Sequence, residues 1–457
     1  MRQDTLSRAL TYDSTMPSMS KIGSKLAATL VLCVCTLLSA ARANGASERL
    51  TNRPERLEWF RDQGFGLFIH MSVDSQLGVV ISHSLVGASD DYAHRFFGEL
   101  PATFNPHKFN ARDLATLAKL TGVRYVVFTA KHHSGFSMWD TATTDFNIMQ
   151  TPFKRDMTAE ILQAFRDQGI APGLYFSPDD FLWLYKHGKT IQRGIPEVQP
   201  QNNPGLMNYD LAQLRELMTK YGNIDVVFLD GQADKLRDLV WELQPNTVVT
   251  RGAMQTPEKT IPGQILSGAW ESCITMGDGW QYQPMLENYK SAGDLIQMLI
   301  EIRAKGGNLL LNVGPKPDGE LPIEQEERLR EIGLWMFVNG EAIYGVRPWA
   351  VPNENGIWFT RRKDTDTVYA FLTHKDYWKV GERREFVLHS VRASKETEIT
   401  VFGQNDQVVE YQATVPQTTW KEEADGLHVQ VMLAQRLRDN RQWPYPVVLK
   451  ITNAQAP

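Results

Sequence analysis

Between about residues 50 and 344, short apolar runs alternate with amphipathic stretches, a pattern that predicts an α/β barrel. The strand-like runs are 66–70, 125–130, 173–177, 225–230, 247–251, 269–273 and Asn308–Val313. Helical spacing fills the intervals. The stretches 111–120 and 158–167 open behind the capping residues Asn110 and Asp156, and 211–221 and 233–243 fit as well. An eighth strand is expected near 79–86, where the pattern is weakest and the barrel should be distorted. A long helix, Ile323–Asn339, has Pro322 near its first turn and Gly340 just past its end.

Beyond Pro348 the period changes. The runs 357–361, 368–373, 385–389, 398–402, 428–432 and Val447–Ile451, with turn residues between them, predict an antiparallel β-sandwich. The expected fold class is therefore α/β: a distorted (β/α)8-type TIM barrel over 44–346, then a C-terminal antiparallel β-sandwich over 347–457. A chain of 457 residues divides naturally in this way.

The first 43 residues read as an export signal. Lys21 and Lys25 precede the apolar run 26–38, and Ala41-Arg42-Ala43 is a small-x-small cleavage pattern; Met19 would open a signal of conventional length. The run is too short for stable membrane insertion, so the mature chain is expected in the periplasm or outside the cell. Cys33 and Cys35 would leave with the signal, and Cys273 then stands alone, so stability rests on core packing. The net charge of −5, with both signs interspersed, gives no reason to expect a nucleic-acid partner. Oligomeric state is not legible.

Asp225-Val226-Val227-Phe228-Leu229-Asp230-Gly231 is the most informative stretch. A buried strand that ends on a carboxylate must offset a costly charge. In a parallel barrel that end is where catalysis sits. Period two places Phe228 and Asp230 on one face. Other strand ends carry His70, His132 and His133, Tyr175, Arg251, and Trp270 beside Glu271. Histidine and tyrosine both donate and accept hydrogen bonds, as a ring of hydroxyls requires. Two carboxylates at one rim fit glycoside hydrolysis, with Asp230 as nucleophile and Glu271 as acid/base, or Asp278 in the following loop.

Neighbouring histidines on a regular strand point apart, and neither HExxH nor a cysteine cluster is present, so no metal is expected. GxSxG, a P-loop and a GxGxxG loop are also missing, and no cofactor is expected. A metal-dependent barrel hydrolase and a non-catalytic sugar-binding protein on a barrel scaffold remain the rival readings.

At these residues the chain resembles the glycoside hydrolase family 29 α-L-fucosidases. The resemblance rests on Phe68-Ile69-His70, Lys131-His132-His133-Ser134-Gly135-Phe136, Gly173-Leu174-Tyr175-Phe176-Ser177, 225–230, and Asn308-Leu309-Leu310-Leu311-Asn312-Val313-Gly314-Pro315 with Asp318-Gly319. It implies a retaining exo-enzyme that removes terminal α-L-fucose from an oligosaccharide or polysaccharide. Asp230 would be the nucleophile, and His70, His132, His133 and Tyr175 would hold the sugar hydroxyls. Arg251 would sit beside them, with Phe228 under the ring and Trp270 alongside Glu271. The chain departs from the family at Met71, where a Trp is common, and at Ser89-Asp90-Asp91-Tyr92, where Asp90 or Asp91 would replace a family glutamate. A sulfated glycan would need a further rim cation, and the loop with Lys186, Lys189 and Arg193 is where one would arise.

Overall fold

Seven parallel strands curl into one sheet: β1 (Phe65–Ile69), β2 (Tyr125–Lys131), β3 (Gly173–Phe176), β4 (Val226–Leu229), β5 (Val248–Val249), β6 (Glu271–Thr275) and β7 (Asn308–Val313). Their order is β5-β4-β3-β2-β1-β7-β6. The computed structural model describes residues 50–284, 287–373, 378–436 and 446–457, so the export signal read at 1–43 lies outside the described residues. Thr51–Pro457 form one compact unit.

Among the described residues no ladder joins β5 to β6. The segment 255–258 fills the gap, bridging Gln255 to Trp270 and Glu258 to Cys273. The eighth strand expected near 79–86 is not formed. Ile81 and Leu85 turn inward while Val80 and Val86 face solvent, and His83–Leu85 is a 3-10 turn. Ser82 has φ +59°, which an extended strand cannot accommodate. That conformation is held because the Ser82 amide donates to the buried Asp74 Oδ2 at 2.6 Å.

Inside the curl, Phe68, Tyr125, Val127, Tyr175, Val226, Phe228, Val248, Cys273 and Leu310 pack together. A second apolar layer lies between the strands and the surrounding helices, including Ala111–Thr121, Met157–Asp167, Pro204–Lys220 and Ala292–Ala304. The helix Pro54–Gln63 contributes Phe60, whose ring meets Tyr125 at 5.3 Å. Tyr125 opens β2 and Asn308, whose Nδ2 donates to the Phe60 carbonyl, opens β7, so this helix closes the N-terminal end of the strands.

The sandwich has a five-stranded sheet and a three-stranded sheet. With β8 (Val346–Glu354), β9 (Ile357–Arg362), β10 (Val368–Leu372), β11 (Arg383–Leu388), β12 (Ile399–Val401), β13 (Thr419–Glu423), β14 (Gly426–Met432) and β15 (Val447–Ile451), the orders are β12-β15-β10-β9-β8 and β11-β14-β13. It rests on the helix Ile323–Asn339, where Trp335 donates to the Pro446 carbonyl at 2.9 Å. Arg347 pairs with Asp62 at 2.9 Å and Glu58 at 2.5 Å on the helix Pro54–Gln63.

Gly66 faces into the barrel, where a Cβ would lie 2.3 Å from the Tyr125 ring. Gly66→Ala is expected to destabilise the protein by about 1–3 kcal/mol through overpacking, read from the urea denaturation midpoint. An unmoved midpoint would contradict the close approach.

Candidate active site

Asp230 follows the last residue of β4, with its side chain 15% exposed. Its Oδ2 accepts a 2.7 Å hydrogen bond from the Tyr175 hydroxyl, and His133 Nε2 lies 3.5 Å from the same oxygen. Oδ1 accepts from Arg251 Nη1 at 3.0 Å, with Arg193 Nη2 at 3.5 Å. Burial alone would raise the proton affinity of this carboxyl. Arg193, Arg251 and the Tyr175 bond outweigh it and hold the pKa down at about 2, so Asp230 is ionised.

The histidines around it are neutral, and burial is the main cause. His70 is lowered to about 4, and His132 and His133 lie well below the ordinary range. Each Nδ1 is occupied: His70 by Asn312 Oδ1 at 2.6 Å, His132 by Ser82 Oγ at 2.8 Å, His133 by Ser177 Oγ at 2.6 Å. Asn312 gives its amide N–H to the Trp280 carbonyl at 2.6 Å, so its oxygen accepts from His70 Nδ1–H. Nε2 of His70 is thereby the acceptor, suited to a substrate hydroxyl.

Adjacent histidines reach one site because they lie past the end of β2, in a turn closed by the Gly135 amide on the His132 carbonyl at 3.0 Å. Their rings are 4.1 Å apart. The register between β2 and β3 slips at Thr129/Lys131. Lys131 is buried in an ionic cluster, 2.8 Å from Asp210, 2.8 Å from Gln213 Oε1 and 3.4 Å from Asp180. Truncating one partner of such a set would leave an uncompensated buried charge directly before the His-His turn.

Aromatic rings complete the hollow. Phe228 lies beneath Asp230, stacked on Tyr175 at 5.5 Å, with the Arg251 guanidinium 4.7 Å above it. Trp280, from the loop after β6, sits 5.1 Å from the His70 ring and 6.0 Å from Phe68. His83 closes another side, 5.3 Å from His133.

An alpha-L-fucosidase family model matches residues 32–341. The chain belongs to this family. It is 30% identical over 414 residues to a putative alpha-L-fucosidase of Caenorhabditis elegans, covering 78% of this chain and 84% of that one. The plasma alpha-L-fucosidase of Rattus norvegicus is 30% identical over 403 residues, with the same coverage. Among solved structures, alpha-L-fucosidase isoenzyme 1 from Paenibacillus thiaminolyticus superposes with a TM-score of 0.70 at 25% identity, over 87% of this chain and 98% of its own. A glycoside hydrolase family 29 alpha-L-fucosidase from Bacteroides thetaiotaomicron, a covalent intermediate trapped with 2-fluoro-fucosyl fluoride, gives 0.70 at 22% identity over 90% and 99%, a likeness of fold. The protein is a glycoside hydrolase of this fucosidase family, acting on fucosylated glycans.

The structure brings together seven of the residues singled out in the sequence: His70, His132, His133, Tyr175, Phe228, Asp230 and Arg251. It does not bring Glu271 or Trp270 to them. The strand expected over 269–273 begins at Glu271 instead and runs to Thr275. Glu271 is thus the first residue of the strand rather than its middle one. It is fully buried and accepts from the hydroxyl of Tyr125, the first residue of β2, at 2.9 Å. Trp270 precedes it, 1% exposed, in the layer between strands and helices against Gly307. Both lie at the closed end of the strands, opposite Asp230.

Asp90 and Asp91 stand exposed in the first turn of the helix Asp90–Gly98, behind the cap Ser89, and Asp91 pairs with Arg95 at 2.9 Å. Asp278 is exposed on the rim loop, its Oδ2 taken by Asn288.

Sequence reasoning missed Trp280, Ser82, His83, Glu258 and the nearness of Arg193 to the carboxylate. Trp280 had a signal: the Gly277-Asp278-Gly279-Trp280 loop follows a strand. For a metal, the one group of described side chains with ligand atoms within 4.8 Å of one another is Glu423, Asp425 and His428, on the β13–β14 hairpin.

Burial raises Glu271 to about 7 from its ordinary 4.5, with Thr250 and Tyr125 offsetting part of the effect. The folded protein therefore keeps a proton that the unfolded chain loses near 4.5, and stability falls as pH rises through this window. Glu271→Gln is expected to remove that decline in thermal melts while leaving turnover within a few fold. A folded variant with abolished turnover would place Glu271 in the chemistry after all.

Proposed function

We propose that this fucosidase is a retaining exo-enzyme working by double displacement. Asp230 attacks the anomeric carbon as the bond to the leaving oxygen breaks, and that oxygen takes its electron pair and a proton from a rim carboxylic acid. Water then attacks the fucosyl ester and returns a proton to the same group, and Asp230 leaves as carboxylate. The observation that carries this reading is an ionised carboxylate at a buried strand end, ringed by neutral histidines and a tyrosine. An exported setting is part of the proposal, resting on the signal at 1–43.

We assign the second carboxylate to Glu258. Arg251 donates through Nη1 to Asp230 and through Nη2 to Glu258, each at 3.0 Å. A planar guanidinium holds its two partners within about 8 Å of each other, a range that includes the roughly 5 to 5.5 Å of a retaining pair. The Glu258 side chain is 45% exposed, so an aglycone can reach it. Phe68 and Trp280 form an apolar wall beside His70. The fucose methyl suits such a wall, whereas a galactose hydroxymethyl would lose its hydrogen bonds there.

Asp230→Gly should cost about 10⁴-fold or more in turnover of an aryl α-fucoside, with azide restoring part of it and giving a β-linked fucosyl azide. Undiminished turnover would end the nucleophile assignment. Glu258→Gln should slow alkyl fucosides by about 10²–10⁴-fold and dinitrophenyl fucosides far less. Equal losses on both, or the leaving-group pattern appearing in Asp278→Asn instead, would move the acid elsewhere.

A further inference from the structure

Arg193 belongs to the loop between the helices Phe181–Lys186 and Pro204–Lys220, with no place in a barrel strand. Its Nε donates to Asp179 Oδ2 at 2.6 Å, and its Nη2 donates to the main-chain oxygen of Asp230 at 3.0 Å. The same nitrogen lies 3.5 Å from Asp230 Oδ1. Asp179 is fixed in turn, its amide donating to Ser177 Oγ, the oxygen that also holds His133 Nδ1. A loop cation is thus tied into the hydrogen-bond chain that orients a site histidine. By contrast Lys189, four residues earlier, spends its ammonium on the Glu197 carbonyl at 3.4 Å within the loop itself.

We propose that Arg193 is a positioning residue for the second half of the reaction. With Arg251 it receives the negative charge that returns to Asp230 as the fucosyl ester breaks. The proposal rests on the double-displacement reading above. In that step the bond from the anomeric carbon to the Asp230 oxygen breaks with its electron pair on the oxygen, while water supplies the new bond and passes a proton to Glu258.

Two guanidiniums on one oxygen make Asp230 a better leaving group. Arg251 alone would leave that charge half compensated in a site where burial favours the neutral acid. Around the carboxyl, the other titratable neighbours are Tyr175 from β3, His70 and His83 beyond β1, His132 and His133 beyond β2, Cys273 from β6, Glu258 across Arg251, and Asp179 beside Arg193 itself. The carboxylates among these are Glu258, paired with Arg251, and Asp179. Arg193 stands between Asp179 and Asp230, so losing Arg193 also exposes Asp230 to a like charge.

The test compares Arg193→Met and Arg193→Lys with the unmodified chain. Each protein is inactivated with 2-fluoro-fucosyl fluoride, freed of excess reagent and followed as activity returns. Reactivation of Arg193→Met should be at least about tenfold slower, with kcat on a dinitrophenyl fucoside falling more than kcat/KM. The acid limb of kcat/KM should move to higher pH, because a lost cation lets the nucleophile protonate sooner. Arg193→Lys, or guanidinium added to the Met variant, should restore much of the reactivation rate.

Unchanged reactivation and an unmoved acid limb in Arg193→Met would overturn the proposal. So would equal losses in kcat and kcat/KM that neither lysine nor guanidinium relieves, which is the mark of a structural role. If the unmodified chain forms no covalent adduct at all, the double-displacement reading is what fails.

Discussion

The site depends on keeping one carboxylate charged where the chain has just left a buried strand. Val226–Leu229 are buried throughout, and Asp230 comes next. An isolated charge there would take up a proton. Two guanidiniums and a tyrosine hydroxyl reverse that preference, and each comes from a different segment: Tyr175 from β3, Arg251 beyond β5, Arg193 from a long loop. The parallel sheet makes this convergence possible because the C-terminal ends of its strands open on the same side.

Neutral groups are held in place with equal care. His70, His132 and His133 each have Nδ1 engaged by an uncharged side chain, which fixes the rings without adding charge. Behind them the Lys131, Asp180 and Asp210 cluster lies in the sheet-to-helix layer. Asp74, its carboxyl raised by burial to about 6, holds the Ser82 turn that meets His132. The gap between β5 and β6 serves the same end: the segment filling it, 255–258, brings Glu258 onto the free side of Arg251.

Much of this was legible in the sequence, because period-two apolar runs ending on polar residues define both strands and rim. The long helix Ile323–Asn339 was readable to the residue, since proline and glycine mark its ends. What failed did so for local reasons. Around Trp270 and Glu271 the apolar pattern leaves strand phase undetermined by two residues, and a two-residue shift keeps the facing while moving a side chain from one end of the barrel toward the other. The run 79–86 carries enough valine and isoleucine to look extended, but the Ser82 backbone answers to Asp74, a contact no pattern reveals. Glu258 and Arg193 lie on irregular segments, where spacing says nothing about which way a side chain faces.

The central claim is that Asp230 forms a covalent bond to the sugar, and peptide mapping of the inactivated protein tests it most directly. After reaction with 2-fluoro-fucosyl fluoride and proteolysis, fragmentation mass spectrometry should place the added fluoro-sugar on Asp230. An adduct on Glu258, Asp278 or any other side chain would contradict the account.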